Sequence, residues 1–279
     1  MELLRGEGVA SISASGVNGY RTDEIWTTSS SYTMPTTYSL AHAERPTKQE
    51  KLKALPAFYD VTGLLSEQYE AISLDGTKVP YFLVRRADMK MDGSTPTLLY
   101  GYGGFEISMT PGYAATVGVG WLEAGYAYAV ANIRGGGEFG PSWHQAALKE
   151  KRHKAYEDFE AVAKDLVNRG VTTPKKLGCQ GGSNGGLLTG NMLVRSPELF
   201  GAIVCQVPLL DMRRFNKLLA GASWMGEYGN PDKPEESALY LMQGGITLPS
   251  TEFYVARSPA MLLKREGFRK VAREVLTEV

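Results

Sequence analysis

With 279 residues, 43% of them apolar, the chain is long enough to bury a sizeable core, and a soluble globular protein of one or two domains is expected. Lys and Arg number 30 and Asp and Glu 30, so the formal net charge is zero and nothing electrostatic argues for nucleic acid or an anionic membrane as partner. The two cysteines, Cys179 and Cys205, sit in apolar strand-like runs; they read as buried thiols, not a disulfide framework, and a cytoplasmic location is expected. No run of 18 apolar residues occurs, and residues 1–16 lack the apolar centre of a signal peptide, so neither a membrane span nor a leader is expected.

Residues 1–66 have a β-rich texture. Glu24–Thr28 and Ser31–Thr33 read as short strands with Gly, Ser and Asn at the turns between them. Tyr69–Leu74 and Val79–Val84 bracket Asp75-Gly76, a hairpin that opens a second region. Pro96–Tyr100 then reads as a strand, Tyr113–Glu123 as a helix and Ala127–Ile133 as a strand buried on both faces. His153–Arg169 places Phe159, Val162, Ala163, Leu166 and Val167 on one helical face, with Gly170 just past its end. Leu177–Gln180 is a strand, Gly185–Arg195 a helix and Ala202–Val207 a strand. Strands alternating with helices at this spacing imply an α/β fold with a mainly parallel sheet. No fixed-period repeat and no low-complexity tract is present.

Between the last of these strands and helices stands Gly181-Gly182-Ser183-Asn184-Gly185-Gly186. Gly-x-Ser-x-Gly at a strand-to-helix turn is the pattern of a nucleophile elbow, in which a sharp bend exposes the serine hydroxyl at a helix N-terminus. Glycines at 181 and 185 remove Cβ atoms that would obstruct the bend, and the backbone N–H of Asn184 can face a developing oxyanion. An earlier strand ends in a second Gly-rich loop, Tyr100-Gly101-Tyr102-Gly103-Gly104-Phe105, of the kind that supplies the other oxyanion donor.

Four blocks, in this order and spacing, give a more specific likeness: YGYGGFEISMTPGY (100–113), ANIRGGGEFGPSWHQAAL (131–148), GGSNGGLL (181–188) and QVPLLDMRRFNKLLAGASWMGEYGNP (206–231). Together they resemble the prolyl oligopeptidase family of serine peptidases, over roughly residues 20–236. The resemblance implies an α/β-hydrolase domain preceded by a β-propeller, and cleavage of short peptides on the carboxyl side of proline without a cofactor. It implies a domain division with a remnant of the last propeller blade at 1–66, an incomplete hydrolase domain at 67–236 and a divergent tail at 237–279. It also implies roles: Ser183 as nucleophile, Asn184 and the Tyr102 phenol as oxyanion donors, and Trp224 with Phe105 as walls of the pocket for the substrate proline. The partner implied is a short proline-containing peptide, with oligomeric state left open.

An α/β-hydrolase supplies its acid and its histidine after the nucleophile. All three histidines here, His42, His144 and His153, precede Ser183, and the family's Asp-Asp-Arg segment is missing. Asp211 and Asp232 follow Ser183 but lie in the wrong blocks, and His144 and His153 read as structural or surface histidines. From Ser237 onward the sequence leaves the family pattern; Ala260–Val279 has the spacing of an amphipathic helix. A truncated or frame-shifted relative with a replaced carboxyl end is expected, and with it unpaired strand edges in the single blade at 1–66. Two other readings stand beside the peptidase. One is a non-catalytic member acting as a binding module. The other is a dinucleotide-binding loop at Gly135-Gly136-Gly137-Glu138-Phe139-Gly140, where Glu138 would sit badly beside a pyrophosphate. His and Cys never cluster at ligand spacing, so no metal site is expected.

Overall fold

A computed structural model of the chain describes residues 8–236 and 253–256. The described residues divide into two compact units: 8–68, 82–89 and 110–128 form one, and 69–81, 90–109, 129–236 and 253–256 the other.

The first unit is built on an antiparallel sheet whose order follows the chain: β1 (Ala10–Gly16), β2 (Glu24–Ser31), β3 (Thr37–His42) and β4 (Arg45–Ala54). The two short strands read at 24–28 and 31–33 are thus one strand, β2, ending at Ser31. β4 is an edge, and nine of its ten residues are exposed. Aromatic rings fill this unit's interior: Tyr59 stacks on Tyr113 with centroids 4.8 Å apart, and its hydroxyl donates to the Tyr32 carbonyl. The helix read at 113–123 is instead one turn, α1 (Ala115–Val117), followed by a wide π-type turn over Gly118–Leu122. Pro111, Gly112, Gly118 and Gly120 dilute helix propensity there. A side chain at 118 has no room, since its Cβ would lie 1.9 Å from the Tyr59 ring.

Among the described residues, the chain's second sheet has seven strands. Five precede the elbow: β5 (Leu64–Ile72), β6 (Lys78–Arg86), β7 (Thr97–Gly101), β8 (Ala127–Ala131) and β9 (Leu177–Gly182). Two follow, β10 (Ala202–Gln206) and β11 (Phe253–Ala256), and the order is β11-β10-β9-β7-β8-β6-β5. β7 and β10 both pair with β9 in parallel, while β11 adds to β10 antiparallel. The described helices of the second unit include α2 (Pro141–Gln145), α3 (His153–Asn168), α4 (Asn184–Arg195) and α5 (Met225–Tyr228). The apolar stripe of α3 is fully buried at Phe159, Val162, Ala163 and Leu166, and Gly170 takes the positive φ of 73° that ends such a helix. These are the crossover connections that parallel neighbours require. The amphipathic segment read at 260–279 lies outside the described residues.

A buried ion cluster fixes the hairpin of β5 and β6 to α3. Arg134 donates from Nε (2.9 Å) and Nη2 (2.6 Å) to Asp158, and from Nη1 (2.6 Å) to Asp75. Ser73 adds a hydroxyl hydrogen bond to Asp158 at 2.6 Å. Arg134 is 3% and Asp158 0% exposed, so each charge depends on the other for solvation.

Candidate active site

In a parallel sheet the strands' carboxyl ends share one edge, and the register sets which residues meet there. Tyr100 pairs with Gln180 and Gly182 with Gln206, so the loop after β7 and the turn after β9 leave the sheet side by side. The turn after β9 is held by the Ser183 N–H, which donates to the Gln206 carbonyl at 3.0 Å. Ser183 itself has φ 58° and ψ −116°, a conformation that L residues adopt only where the surroundings enforce it. Its side chain is exposed, and α4 begins at the next residue. The first amides of a helix have no acceptor inside it, so the Asn184 N–H is of the class that can meet an incoming oxygen. Close backbone approach makes the bend possible: a Cβ at Gly181 would lie 2.3 Å from the Gly185 carbonyl oxygen, and one at Gly185 2.7 Å from that of Gly101.

Asn184 is fully buried. Its Nδ2 donates to the Tyr102 carbonyl at 2.5 Å, and its Oδ1 accepts from Arg152 Nη2 at 2.6 Å and from the Tyr228 hydroxyl at 2.7 Å. Tyr102 is half-buried in the loop after β7. Phe105, with φ 56°, places its ring edge-on to Tyr228 at 5.7 Å between centroids. Phe105 and Trp224 both pack, half-buried, against a cluster that includes Leu187, Phe215 and Tyr228. The structure therefore brings the pairs Ser183/Asn184, Tyr102/Phe105 and Trp224/Tyr228 to one region of the second unit.

Beneath them lies a charged network. Glu227, 5% exposed, accepts from the Phe105 N–H (3.0 Å) and Arg152 Nη1 (2.9 Å) on Oε1, and its Oε2 is 2.7 Å from His144 Nε2. His144 Nδ1 is 3.9 Å from the Glu106 carboxylate. Burial works against the charge of Arg152, yet Tyr156, Tyr228 and Glu227 hold the guanidinium above its ordinary pKa. Burial likewise pushes the Tyr228 phenol up, against the pull of Arg152, which keeps it a neutral donor to Asn184.

Glu227, Arg152 and Tyr228 were not singled out from the sequence. Arg152 stands in the charged run 149–154, which reads as a solvated face; its spacing of four and seven residues from Tyr156 and Phe159, on the buried stripe of α3, is the signal that places it inward. His144 is half-buried with its Nε2 engaged by Glu227, so it is no free surface histidine. Asp211 is buried and paired with Arg214, while Asp232 pairs on the surface with Lys217 (2.8 Å) and Asn216 (2.8 Å). The glycine loop at 135–140 is filled by its own glutamate. Glu138 accepts from the Met109 N–H (2.8 Å) and Asn132 Nδ2 (3.2 Å), which leaves a carboxylate where a dinucleotide would need donors. Among the described residues no group of three or more His, Cys, Asp or Glu is placed to hold a metal ion. No described helix is long and apolar enough to cross a membrane.

Residues 115–243 match the sequence profile of the prolyl oligopeptidase family. An uncharacterized peptidase of Sinorhizobium fredii, y4nA, is 54% identical over 83% of this chain and 33% of its own length. The prolyl endopeptidase of Elizabethkingia miricola is 36% identical over 85% of this chain and 35% of its own. Among solved structures, a post-proline cleaving enzyme from Rickettsia typhi superimposes with a TM-score of 0.77 at 39% identity, over 86% of this chain and 34% of that one. The chain thus spans about a third of the length of these relatives.

Proposed function

This chain carries a domain of the prolyl oligopeptidase family, and from that premise we propose that it holds the nucleophile and proline pocket of a serine peptidase acting on short peptides. Ser183 Oγ attacks the carbonyl carbon of a proline residue, its proton passing to a base, and the carbonyl oxygen takes the negative charge. The Asn184 N–H and the Tyr102 hydroxyl donate to that oxyanion. Collapse expels the downstream amine, to which the base passes that proton, and leaves the peptide as an ester on Ser183, which water then hydrolyses. Trp224 and Phe105 form the walls against which the pyrrolidine ring packs, a ring that is rigid and brings no N–H of its own. The observation that carries the reading is the exposed Ser183 at φ 58° on a strand-to-helix turn.

The four-stranded meander β1–β4 supports the reading of residues 1–66 as a remnant of a last propeller blade, with 67–236 as a partial hydrolase domain. The free, buried state of Cys179 and Cys205 supports a cytoplasmic setting.

One observation favours a second reading, a binding module without turnover. His144 Nε2 already faces Glu227, which takes that ring nitrogen away from a role as base for Ser183. Without a histidine base such chemistry slows by about 10⁴ to 10⁶. A fluorophosphonate probe separates the two. Labelling of the chain, abolished in Ser183→Ala, together with hydrolysis of a chromogenic Gly-Pro substrate, is the expected result for the peptidase. A folded chain that the probe leaves untouched but that still binds a Gly-Pro peptide through Trp224 establishes the binding module.

A further inference from the structure

The loop from Tyr102 to Phe105 is clamped at both ends, and the two clamps meet at one side chain. At its start, the Tyr102 carbonyl accepts from Asn184 Nδ2; at its end, the Phe105 N–H donates to Glu227 Oε1. Arg152 Nη2 donates to the Oδ1 of the same Asn184, and Arg152 Nη1 to the same Oε1 of Glu227. The loop, Glu227, Arg152 and Asn184 therefore close a ring of hydrogen bonds. The loop fits against it without slack, since a Cβ at Gly104 would lie 2.5 Å from Asn184 Nδ2. Both Phe105 and Glu106 have positive φ, 56° and 55°, a conformation that relaxes unless something holds it.

We infer that Arg152 is a positioning residue, whose two η nitrogens hold the loop carrying Tyr102 and Phe105 in fixed register with the turn carrying Ser183. The inference rests on the reading of Ser183 as nucleophile for its functional meaning, and on the hydrogen-bonded ring alone for its geometry. A planar guanidinium serves the two clamps from two separate nitrogens, Nη1 and Nη2; an ammonium offers its three donors from one nitrogen on a flexible stem and does not reproduce that fork. A buried ion pair adds little net stability, yet removing one partner is costly, so the pair is better suited to fixing geometry than to holding the fold together. One link then sets two properties: where the phenol at 102 stands relative to Ser183, and where the Phe105 ring stands in the pocket.

The test uses the full chain and two substitutions that each break one link of the ring. Arg152→Lys retains the cation beside Glu227 but offers its donors from one nitrogen in place of two. Asn184→Asp retains the acceptor for Arg152 and Tyr228, replaces the donor to the Tyr102 carbonyl with an oxygen, and brings a second carboxyl group to Arg152. Amide hydrogen exchange is measured across the chain, and inactivation by a proline-bearing phosphonate is resolved into its binding and bond-forming constants. In both variants, exchange at 103–107 is expected to rise about tenfold or more while strand Ala127–Ala131 and helix α3 stay protected. The bond-forming constant is expected to fall by about 10 to 100-fold, the scale of a displacement near 1 Å, with binding changed far less. Unaltered exchange at 103–107 in Arg152→Lys overturns the inference, as does acceleration spread evenly over the unit, which marks a merely structural residue. If the unmodified chain is not labelled at Ser183, the peptidase reading falls, and the exchange data still decide the role of Arg152.

Discussion

Replacing Gly181 by alanine inserts a methyl group where the Gly185 carbonyl oxygen already stands, 2.3 Å from the new Cβ. Contacts of a Cβ below 3.0 Å essentially never occur, so the end of β9 and the start of α4 must separate by about 0.7 Å, because the obstacle is backbone and cannot rotate away. Overpacking of this kind costs about 1–3 kcal/mol, of which about 0.4–1 is offset by the reduced freedom of the unfolded chain. A net loss of about 0.6–2 kcal/mol lowers the melting temperature by about 1–8 °C. The same displacement misplaces Ser183 against its oxyanion donors and slows phosphonate labelling by about 10 to 100-fold. Gly182 is the control. Its Cβ would meet Gln206 Cβ at 3.8 Å and the Gln206 carbonyl oxygen at 3.9 Å, both ordinary contacts, and its φ is not left-handed. Gly182→Ala is therefore expected to be neutral or stabilising by about 0.4–1 kcal/mol, with labelling unchanged. Thermal melts and labelling rates of the two variants, measured in parallel, decide the matter: equal behaviour refutes the claim that close backbone approach at 181 builds the bend.

Other consequences follow from the same structure. Arg134→Met strands the Asp158 carboxylate in the interior and is expected to destabilise by about 3–5 kcal/mol, read from denaturant unfolding. Hydrogen bonds from Arg134, assisted by Thr77 and opposed by burial, hold the Asp75 carboxyl well below its ordinary pKa. Its contribution to stability is thus complete above the unfolded value near pH 4 and lost as the pH falls below it. Asp75→Asn should accordingly lose less stability than the unmodified chain between pH 5 and pH 2, and an identical loss contradicts the assignment. Burial raises both thiols, Cys205 to about 11. Neither should react with a thiol reagent at pH 8 until the chain is unfolded, and rapid labelling of the native chain would show that these sites open to solvent.

What the sequence disclosed and what it hid follow the range of the interactions involved. The stripe of α3 is legible because burial there repeats every turn, and the elbow because glycine, serine and glycine stand within five residues. The segment 113–123 reads as helical from its alanines and valines, but Gly112, Gly118 and Gly120 dilute helix propensity there, and the glycine at 118 is demanded by Tyr59, more than fifty residues earlier in the chain, whose ring stands where a side chain would be. The network under the site is hidden for the same reason. His144 and Glu227 are 83 positions apart and Arg152 and Glu227 75, so nothing local in either stretch announces the partner. A charged residue on the inward spacing of an amphipathic helix is the one clue that Arg152 offers on its own.

The rim of the first unit has a consequence for how the molecule behaves in concentrated solution. An edge strand such as β4, paired with β3 along one side, invites a second chain to add its backbone along the other. Here that invitation carries Arg45, Lys48, Lys51 and Lys53 with only Glu50 to offset them, all exposed to water. Two such rims brought together would crowd cations against cations and strip their hydration, so polymerisation through this border is opposed by the residues that form it.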